Sequence, residues 1–309
     1  MKIALLGTIT CDTIFQLQGE VSESYGGLLY SILPLAMLTE PGATIVPVIN
    51  LGQDVESPIR AILSRHEQIS QEGIRVVLER NNRVMLRYTS EGEREEVQQG
   101  DLPPLTFQQI EPVLDADAVL VNFISGSDLS RETFQKVREN TSATVYTDIH
   151  SLSLGIDPQG RRFQRPLPEW HKWTAQADVV QVNRGEARLL AGSSLESDAQ
   201  LLSFGRRLLE TGPSILLITL GVEGSLMISA SGGDIGVDRF PAHRPEQFGD
   251  TTGCGDVFLA AFVAEHTRSG DPHRASRFAN QVAGAKCGSC GVEDLGVLVD
   301  LRRVEDRKS

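Results

Sequence analysis

Short apolar runs alternate with longer amphipathic stretches along most of this chain, and this alternation constrains the fold more than any other feature of the sequence. Most of the runs are apolar at every position, which is typical of strands covered on both faces. The predicted strands are residues 3–6, 43–49, 118–121, 143–147, 179–182 and 215–219. The predicted helices between them are residues 28–38, 59–66, 131–139, 186–190 and 199–209. This pattern predicts an α/β fold with a doubly wound, mainly parallel sheet flanked by helices.

The segment 74–97 departs from this rhythm. It partly alternates polar and apolar residues, as an antiparallel strand with one face in water does. We predict a small β lid built from residues 74–100, which ends before Pro103 and Pro104, and from residues 13–25. Few residues separate Asp12 from Gly26, which leaves little chain for a full hairpin in the lid segment 13–25. Both segments are expected to lie within a single domain of residues 1–309.

The charge and the apolar runs exclude several classes of protein. The formal net charge of −12 argues against a nucleic-acid partner, because such partners require basic patches. The longest apolar run, residues 257–264, is far shorter than the roughly 20 residues that span a bilayer. Residues 1–6 are too brief for the apolar region of a signal peptide. We therefore expect a cytoplasmic monomer or homodimer that binds no membrane.

The strongest chemical signal is the segment 250–256, Asp-Thr-Thr-Gly-Cys-Gly-Asp, directly before the most apolar predicted helix. Glycines let the backbone approach a ligand closely, and the N–H groups at a helix N-terminus favour an anion. A carboxylate in the same turn, Asp256, can accept the proton of a hydroxyl that is phosphorylated beside that anion. An isolated Asp at this position would more often be a helix cap. The preceding Gly-X-Gly favours a functional loop.

This segment is similar to the second signature of the ribokinase-like, or phosphofructokinase-B-type, carbohydrate kinase family, in which Asp-Thr-X-Gly-X-Gly-Asp opens the catalytic helix. Further motifs extend the resemblance over nearly the whole chain. They are the opening Gly-X-X-X-X-Asp at residues 7–12, the double glycine at residues 26–27, Asn-X-X-Glu at residues 183–186, Thr-Leu-Gly-X-X-Gly at residues 219–224, and Phe-Ala-Asn at residues 278–280, where the family presents residues to adenine.

The resemblance implies a single ribokinase-like kinase domain that transfers the γ-phosphoryl group of ATP to a hydroxyl of a sugar or sugar-like molecule. Asp256 would be the catalytic base, and Gly253, Cys254 and Gly255 would form the anion-binding loop. The other implied contacts are Asp12, Gly26, Gly27 and Ser31 for the substrate, Thr219, Gly221, Gly224 and Asn280 for ATP, Asn183 and Glu186 for Mg²⁺ through water, and Asp250 and Thr252 for K⁺.

The substrate half of the pattern departs from the family. After Gly26 and Gly27 the chain carries apolar bulk, and Ser31 stands where the family has an Asn that touches sugar hydroxyls. A kinase for a nucleoside or a vitamin-type alcohol therefore stays open, and so does a catalytically inactive regulator with this fold. A dinucleotide-binding oxidoreductase is disfavoured because no Gly-X-Gly-X-X-Gly follows the first strand.

Several residues have a plainer interpretation when each is taken alone. Asn183 and Glu186 then resemble a loop residue and the first-turn carboxylate of a helix, and residues 219–224 resemble a simple turn between two strands. Asp148 ends a predicted strand and belongs either to the Mg²⁺ site or to a surface turn. His150 is expected to be a surface residue or a satisfied core residue.

The cysteines also allow more than one interpretation. Cys254 lies at the predicted helix N-terminus, where the dipole lowers the pKa of a thiol while the Asp256 carboxylate raises it. It is either a reactive thiol in the anion loop or a small residue that fills the site. Cys287 and Cys290 form a Cys-X-X-Cys pair, but a structural zinc site needs four ligands and the sequence has no second pair. We predict structural thiols there.

Overall fold

A large β-sheet organises the fold. The computed structural model of the protein describes residues 1–17, 19–90, 93–231, 234–245, 251–289, 291–292, 295–296 and 298. In chain order the strands are β1 (Lys2–Leu6), β2 (Ile9–Phe15), β3 (Val21–Gly27), β4 (Thr44–Gly52), β5 (Ile74–Leu78), β6 (Arg83–Ser90), β7 (Glu93–Gln99), β8 (Ala118–Asn122), β9 (Thr144–Asp148), β10 (Leu154–Ile156), β11 (Arg162–Gln164), β12 (Val179–Asn183), β13 (Ile215–Thr219), β14 (Ser225–Ser231) and β15 (Asp234–Phe240).

Helices connect most of these strands. In chain order they are α1 (Leu29–Leu38), α2 (Gln53–Leu63), α3 (Phe107–Ile110), α4 (Arg131–Glu139), α5 (Trp170–Thr174), α6 (Arg184–Ala191), α7 (Asp198–Leu209), α8 (Cys254–Ser269) and α9 (Pro272–Lys286), with short 3-10 turns at Glu111–Val113, His150–Ser153 and Gly221–Glu223. Within the described ranges, no helix is both long enough and apolar enough to cross a membrane.

The large sheet has the strand order β15-β14-β13-β12-β9-β8-β1-β4-β5. The strands from β13 to β5 in this order run parallel to their neighbours. Strands β14 and β15 extend the sheet as antiparallel strands. The parallel part contains all six strands that the sequence predicted, so the predicted mainly parallel sheet is confirmed.

Both faces of this sheet are buried, as the uninterrupted apolar runs require. Along β1, Ile3 and Leu5 pack into a core shared with α1, α8 and α9. The alternating residues Ala4 and Leu6 pack into a second core shared with α4, α6 and α7. Helices therefore cover both faces, and the predicted doubly wound α/β fold is confirmed.

Helix α8 is buried along much of its length, and its position matters for the site. Its residues 257–265 are all buried, and it packs against α1 and α9 as well as against β8 and β9. The short connection to α9 is fixed by Asp271, whose side chain accepts hydrogen bonds from the backbone N–H groups of His273 and Arg274. The two helices therefore form an antiparallel hairpin, which brings the start of α8 close to the end of α9.

A separate four-stranded sheet, with the order β3-β2-β6-β7, forms the lid. Strands β2 and β3 pair antiparallel along their whole length, and so do β6 and β7, with a register shift near the β6–β7 turn. The expectation that too little chain lies between Asp12 and Gly26 for a full hairpin was wrong. Both residues are themselves part of the hairpin, because Asp12 lies on β2 and Gly26 lies on β3.

The start of the predicted lid also needs correction. Residues 74–78 form β5, which pairs in parallel with β4 at the edge of the large sheet. An edge strand has neighbours on one side only, and Val76, Val77 and Leu78 are exposed there. The mixed polar and apolar pattern that suggested a lid strand reflects this edge position, and the first lid strand of this segment is β6, which begins at Arg83.

The buried sheet makes a direct prediction about stability. Leu120, on β8, is fully buried, whereas Leu17, beside the lid, is 47% exposed. Leu120→Ala should lower the free energy of unfolding by about 2–5 kcal/mol, because it leaves a cavity in the core. The matched control Leu17→Ala should change it by about 0.5 kcal/mol or less. Urea unfolding of both variants checks this, and equal losses would contradict the described packing.

Candidate active site

The central strands end in polar side chains that gather at one edge of the sheet, where open α/β sheets bind ligands. Asn122, Asp148, Asn183 and Thr219 are the last residues of β8, β9, β12 and β13. Asn122 lies beside Asp148 in the sheet register, and Asn183 lies beside Thr219. The sheet therefore brings together residues that are far apart in the sequence.

Two cavities open at this edge. The first cavity, about 640 Å³, lies between the strand ends and the lid strands β2, β6 and β7. The second cavity, about 760 Å³, lies between the turn at residues 219–224 and the helices α8 and α9. Thr219, Thr251 and Gly255 line both cavities. The two cavities therefore meet at the turn that precedes α8.

That turn is held tightly. Gly253 has a left-handed backbone (φ 76°), and a Cβ atom there would overlap the ring of Tyr30, so the position requires glycine. The N–H of Cys254 donates to the carbonyl oxygen of Thr251 (3.1 Å), and Gln181 Nε2 donates to the carbonyl oxygen of Gly255 (3.0 Å). Helix α8 then begins at Cys254, and its first N–H groups lack acceptors within the helix. The arrangement suits an anion.

Asp256 lies in the first turn of α8 and lines the first cavity. Asn122 Nδ2 donates a hydrogen bond to Asp256 Oδ1 (2.7 Å) and a longer one to Ser31 Oγ (3.2 Å). Burial raises the pKa of Asp256, while the hydrogen bond from Asn122 and the charge of His150 oppose that shift. Asn122 is fully buried and therefore holds the carboxylate in a fixed position.

Glu186 forms the centre of a second polar cluster. Its carboxylate accepts hydrogen bonds from the backbone N–H of Asn183 (2.7 Å) and from His150 Nδ1 (2.6 Å). The side chain of Asn183 caps the helix by accepting from the Glu186 N–H (3.0 Å). Partial burial lowers the pKa of His150, but the hydrogen bond to Glu186 and the nearby carboxylates outweigh it and raise the pKa to about 9. His150 is therefore a cation at neutral pH.

Asp148 lies between these two clusters and is not a surface residue. Its side chain is buried, and it accepts hydrogen bonds from Gln181 Nε2 (2.6 Å) and from the His150 N–H (2.8 Å). Burial, followed by the negative charges of Glu186 and Asp256, raises the pKa of Asp148 to about 7, against the opposing charge of His150. Three carboxylates thus repel one another at the wall of the first cavity.

This repulsion fits the Mg²⁺ that the family resemblance implies, because a bound divalent cation would relieve it. The carboxylate oxygens of Glu186 already accept hydrogen bonds from Asn183 and His150. The donor set therefore suits a Mg²⁺ ion that is contacted through water. Proteins usually hold Mg²⁺ in this way and not in a closed cage of protein ligands.

The predicted substrate residues divide into two groups. Asp12 and Gly27 line the first cavity, and a Cβ atom at Gly26 would overlap the Asp12 carboxylate, so Gly26 makes room for it. Ser31 does not line the cavity: it is fully buried behind the wall and contacts Asn122. The expectation that Ser31 faces the substrate is replaced by a role behind Asn122.

Arg162 is a residue of the first cavity that the sequence did not reveal. Its guanidinium is nearly buried, donates to the carbonyl oxygen of Ile124 (2.7 Å) and to Gln98, and lies 3.6 Å from Glu96. Burial lowers the pKa of Arg162, and the charges of Glu96 and Asp128 oppose that shift. The first cavity therefore offers hydrogen-bond donors as well as acceptors.

The predicted ATP residues lie around the second cavity. Thr219, Gly221, Gly224 and Asn280 all line it. Asn280 Nδ2 donates to Ser225 Oγ and to the carbonyl oxygen of Ser276, both at 2.8 Å, so its orientation is fixed. Apolar side chains complete the walls; they are Leu220, Val222, Ala242, Phe258 and Ala283.

The predicted K⁺ site rests partly on residues that are not described. Asp250 lies outside the described residues, as does Cys290. Thr252 is described and lines the first cavity. The K⁺ site therefore stays a prediction.

Asn122 and His150 are two further site residues that sequence reasoning missed. Each makes its key hydrogen bond to a residue that is distant in sequence, so no local motif marks it. The only local signal is position, because Asn122 ends a buried strand and His150 follows one.

Known proteins resemble this chain in sequence and in fold. The sequence model of the pfkB family carbohydrate kinases matches residues 69–295. Ribokinase of Bacillus subtilis (strain 168) is 27% identical over 191 residues, which cover 62% of this chain and 55% of that protein. Fructokinase of Klebsiella pneumoniae is 31% identical over 133 residues, which cover 43% and 40%. The chain thus spans about half the length of the curated relatives that it matches.

A solved structure matches over nearly the full chain. Ribokinase from Giardia lamblia has a TM-score of 0.79 at 17% identity, with 98% of this chain and 99% of that one covered. At this identity the likeness shows the fold, and it confirms the predicted ribokinase-like architecture. Since the family model also matches well over half of the residues, the chain belongs to the pfkB family of carbohydrate kinases.

Proposed function

We propose that this protein transfers the γ-phosphoryl group of ATP to a hydroxyl of a sugar or sugar-like small molecule. The observation that carries the proposal is the position of Asp256, in the first turn of α8 where the two cavities meet. A carboxylate there can take the proton of a hydroxyl in the first cavity while the helix N-terminus holds phosphate that reaches in from the second. The family and the ribokinase and fructokinase relatives support the same reaction.

Asp256 and the turn before α8 take part directly in the proposed phosphoryl transfer. The acceptor oxygen attacks the γ-phosphorus as its proton passes to Asp256, and the bond from that phosphorus to the leaving ADP oxygen breaks. The backbone N–H groups of Gly253 and Gly255 stabilise the charge on the group in transit. Asn122 keeps the Asp256 carboxylate in place throughout.

Asp148 is the rival candidate for the base, because its pKa of about 7 suits proton transfer at neutral pH. Its two carboxylate oxygens, however, already accept hydrogen bonds from Gln181 and from the His150 N–H. Asp256 is held through Oδ1 by Asn122 and belongs to the helix turn that binds the anion. These contacts favour Asp256 as the base and Asp148 as part of the cation site.

Mg²⁺, when bound, neutralises charge on the phosphates. Glu186 and Asn183 would hold its water molecules at the ends of the central strands. His150 fixes the Glu186 carboxylate for this purpose through the Nδ1 hydrogen bond. K⁺ near Thr252 is retained as a prediction.

The first cavity suits a polyhydroxy acceptor. The Asp12 carboxylate can accept hydrogen bonds from hydroxyl groups, while Arg162 and Gln164 can donate to them. Val84 and Leu86 of the lid present an apolar surface to the same space. A lid that closes over the acceptor excludes water and so limits the wasteful hydrolysis of ATP.

The second cavity suits a nucleotide as the phosphoryl donor. Its apolar walls can enclose a purine, and Thr219 belongs to the wall that it shares with the first cavity. An intact Asp256, held by Asn122, argues against the inactive regulator as the alternative. A nucleoside or vitamin-type alcohol is the alternative acceptor. A cytoplasmic location and a monomeric or homodimeric state remain predictions.

The proposed base can be tested by substitution. Asp256→Asn should lower kcat for sugar phosphorylation by about 10²–10⁴-fold, because the amide cannot accept the proton. The Kd for ATP should stay near the wild-type value, since the second cavity is unchanged. A panel of sugars and nucleosides with ATP and Mg²⁺, followed by detection of ADP and of the phosphorylated product, checks both quantities.

Asp148→Asn is the matched control, because it makes the same chemical change in the neighbouring carboxylate. Its main effect should be a higher Mg²⁺ concentration at half-maximal rate. An Asp256→Asn variant with near-normal turnover, beside an inactive Asp148→Asn variant, would assign the base to Asp148.

The contact between Asn122 and Asp256 predicts a change in pH dependence. This hydrogen bond lowers the pKa of Asp256 against the effect of burial. Asn122→Leu removes the donor, so the Asp256 pKa should rise and less of the ionised base should be present at a given acidic pH. The acid limb of kcat/KM should therefore move to higher pH.

Ser31→Ala supplies the control for that variant. It removes the other partner of Asn122 Nδ2 and keeps the hydrogen bond to Asp256. Its acid limb should coincide with that of the wild type. An unchanged limb in Asn122→Leu, or an equal shift in both variants, would contradict the role given to Asn122.

A further inference from the structure

Two cysteines that are distant in sequence meet at the wall of the second cavity. Cys254 Sγ lies 2.9 Å from Cys287 Sγ, and both residues line the cavity. Both are partly exposed, so small reagents can reach them. The third cysteine described, Cys11, is buried on the lid strand β2, away from this pair.

The α8–α9 hairpin is the reason for this meeting. Cys254 is the first residue of α8, and Cys287 directly follows the last residue of α9. The two helices have 16 and 15 residues, so an antiparallel pair of them aligns the start of one with the end of the other. The sulfur contact is therefore a consequence of the fold and not of a local sequence motif.

We propose that Cys254 and Cys287 form a redox modification site, in which a peroxide converts the two thiols into a disulfide that weakens nucleotide binding in the second cavity. The regulatory half of this proposal rests on the proposed function, since it takes the second cavity as the nucleotide site. The disulfide itself does not depend on that assignment.

The chemistry balances with a peroxide as the oxidant. The Cys254 thiolate attacks the O–O bond of hydrogen peroxide, which gives a sulfenic acid and, after protonation of the leaving hydroxide, one water. The Cys287 thiol then loses its proton and attacks the Cys254 sulfur, and the displaced hydroxide takes up a proton to give a second water, which leaves the disulfide. Cys254 is the first nucleophile because a helix N-terminus stabilises a thiolate.

Little movement separates the reduced pair from the bonded one. A disulfide has an S–S length of about 2.05 Å, so the sulfurs need to approach by less than an ångström along their separation. The bond would tie the first turn of α8 to the end of α9. That turn carries the N–H groups proposed to bind phosphate, and the cross-link would keep the turn from adjusting to the phosphate.

Nucleotide and oxidant also compete for the same space. A nucleotide that fills the second cavity covers both sulfurs, so it should slow their oxidation. Coupling between two sites typically changes affinity by about 5-fold to 150-fold. We therefore expect the disulfide to raise the Kd for ATP at least fivefold, and a thiol reductant to restore it.

The first experiment identifies the bond. The full chain is treated with hydrogen peroxide in the presence or absence of ATP and Mg²⁺, its remaining thiols are alkylated, and intact mass and linked peptides are measured. The wild type should lose two hydrogen atoms and yield a peptide that links Cys254 to Cys287, more slowly with ATP present. Cys11→Ser and Cys290→Ser should behave as the wild type, and Cys254→Ser and Cys287→Ser should not form this link.

A linked peptide that joins Cys287 to Cys290, or full alkylation of Cys254 and Cys287 after peroxide treatment, would overturn the proposed pair. The Cys290→Ser variant keeps this decision clear, because it removes the neighbouring thiol of the Cys-X-X-Cys sequence.

The second experiment measures ATP binding by calorimetry on reduced and oxidised protein. Cys287→Ser should remove the effect of peroxide on the ATP Kd. Equal ATP affinity in both wild-type forms would overturn the switch. If the disulfide forms but the reduced protein binds no ATP, the nucleotide site is overturned and the switch with it. The modification site would still stand.

Discussion

The hydrogen bond from Asn122 to Asp256 joins the end of a central strand to the first turn of α8, and the geometry of the site depends on this contact. Helix α8 is buried along residues 257–265, so packing fixes its axis. Densely packed elements do not shift freely. The turn before α8 therefore keeps a constant position relative to the strand ends, and the two cavities meet at a fixed wall.

Since the protein has a net charge of −12, the proposed binding of ATP phosphates requires local groups that attract an anion. The N-terminus of α8 supplies one, because the N–H groups of a first helical turn favour an anion. His150 supplies another, since its hydrogen bond to Glu186 raises its pKa to about 9 and keeps it cationic. Burial, followed by the charges of Glu186 and Asp256, raises the pKa of Asp148 to about 7, and a bound divalent cation would relieve the repulsion between these carboxylates.

The parts of this site that the sequence predicted are those marked by local patterns. The glycines around Cys254 and the apolar runs of the strands are contiguous in the chain, so periodicity and spacing reveal them. Asn122 gave no such signal, because its partner lies 134 residues away. The strand at residues 74–78 was misplaced because partial alternation describes any half-exposed strand, whether it belongs to a lid or to the edge of a large sheet.

A crystal structure with a non-hydrolysable ATP analogue, Mg²⁺ and an accepted sugar tests the central claim most directly. The account predicts the acceptor hydroxyl within about 2.6–3.2 Å of an Asp256 carboxylate oxygen. It also predicts the γ-phosphate group against the first N–H groups of α8, with Asn122 still bonded to Asp256. An acceptor hydroxyl bound to Asp148, with Asp256 turned away from both ligands, would contradict it.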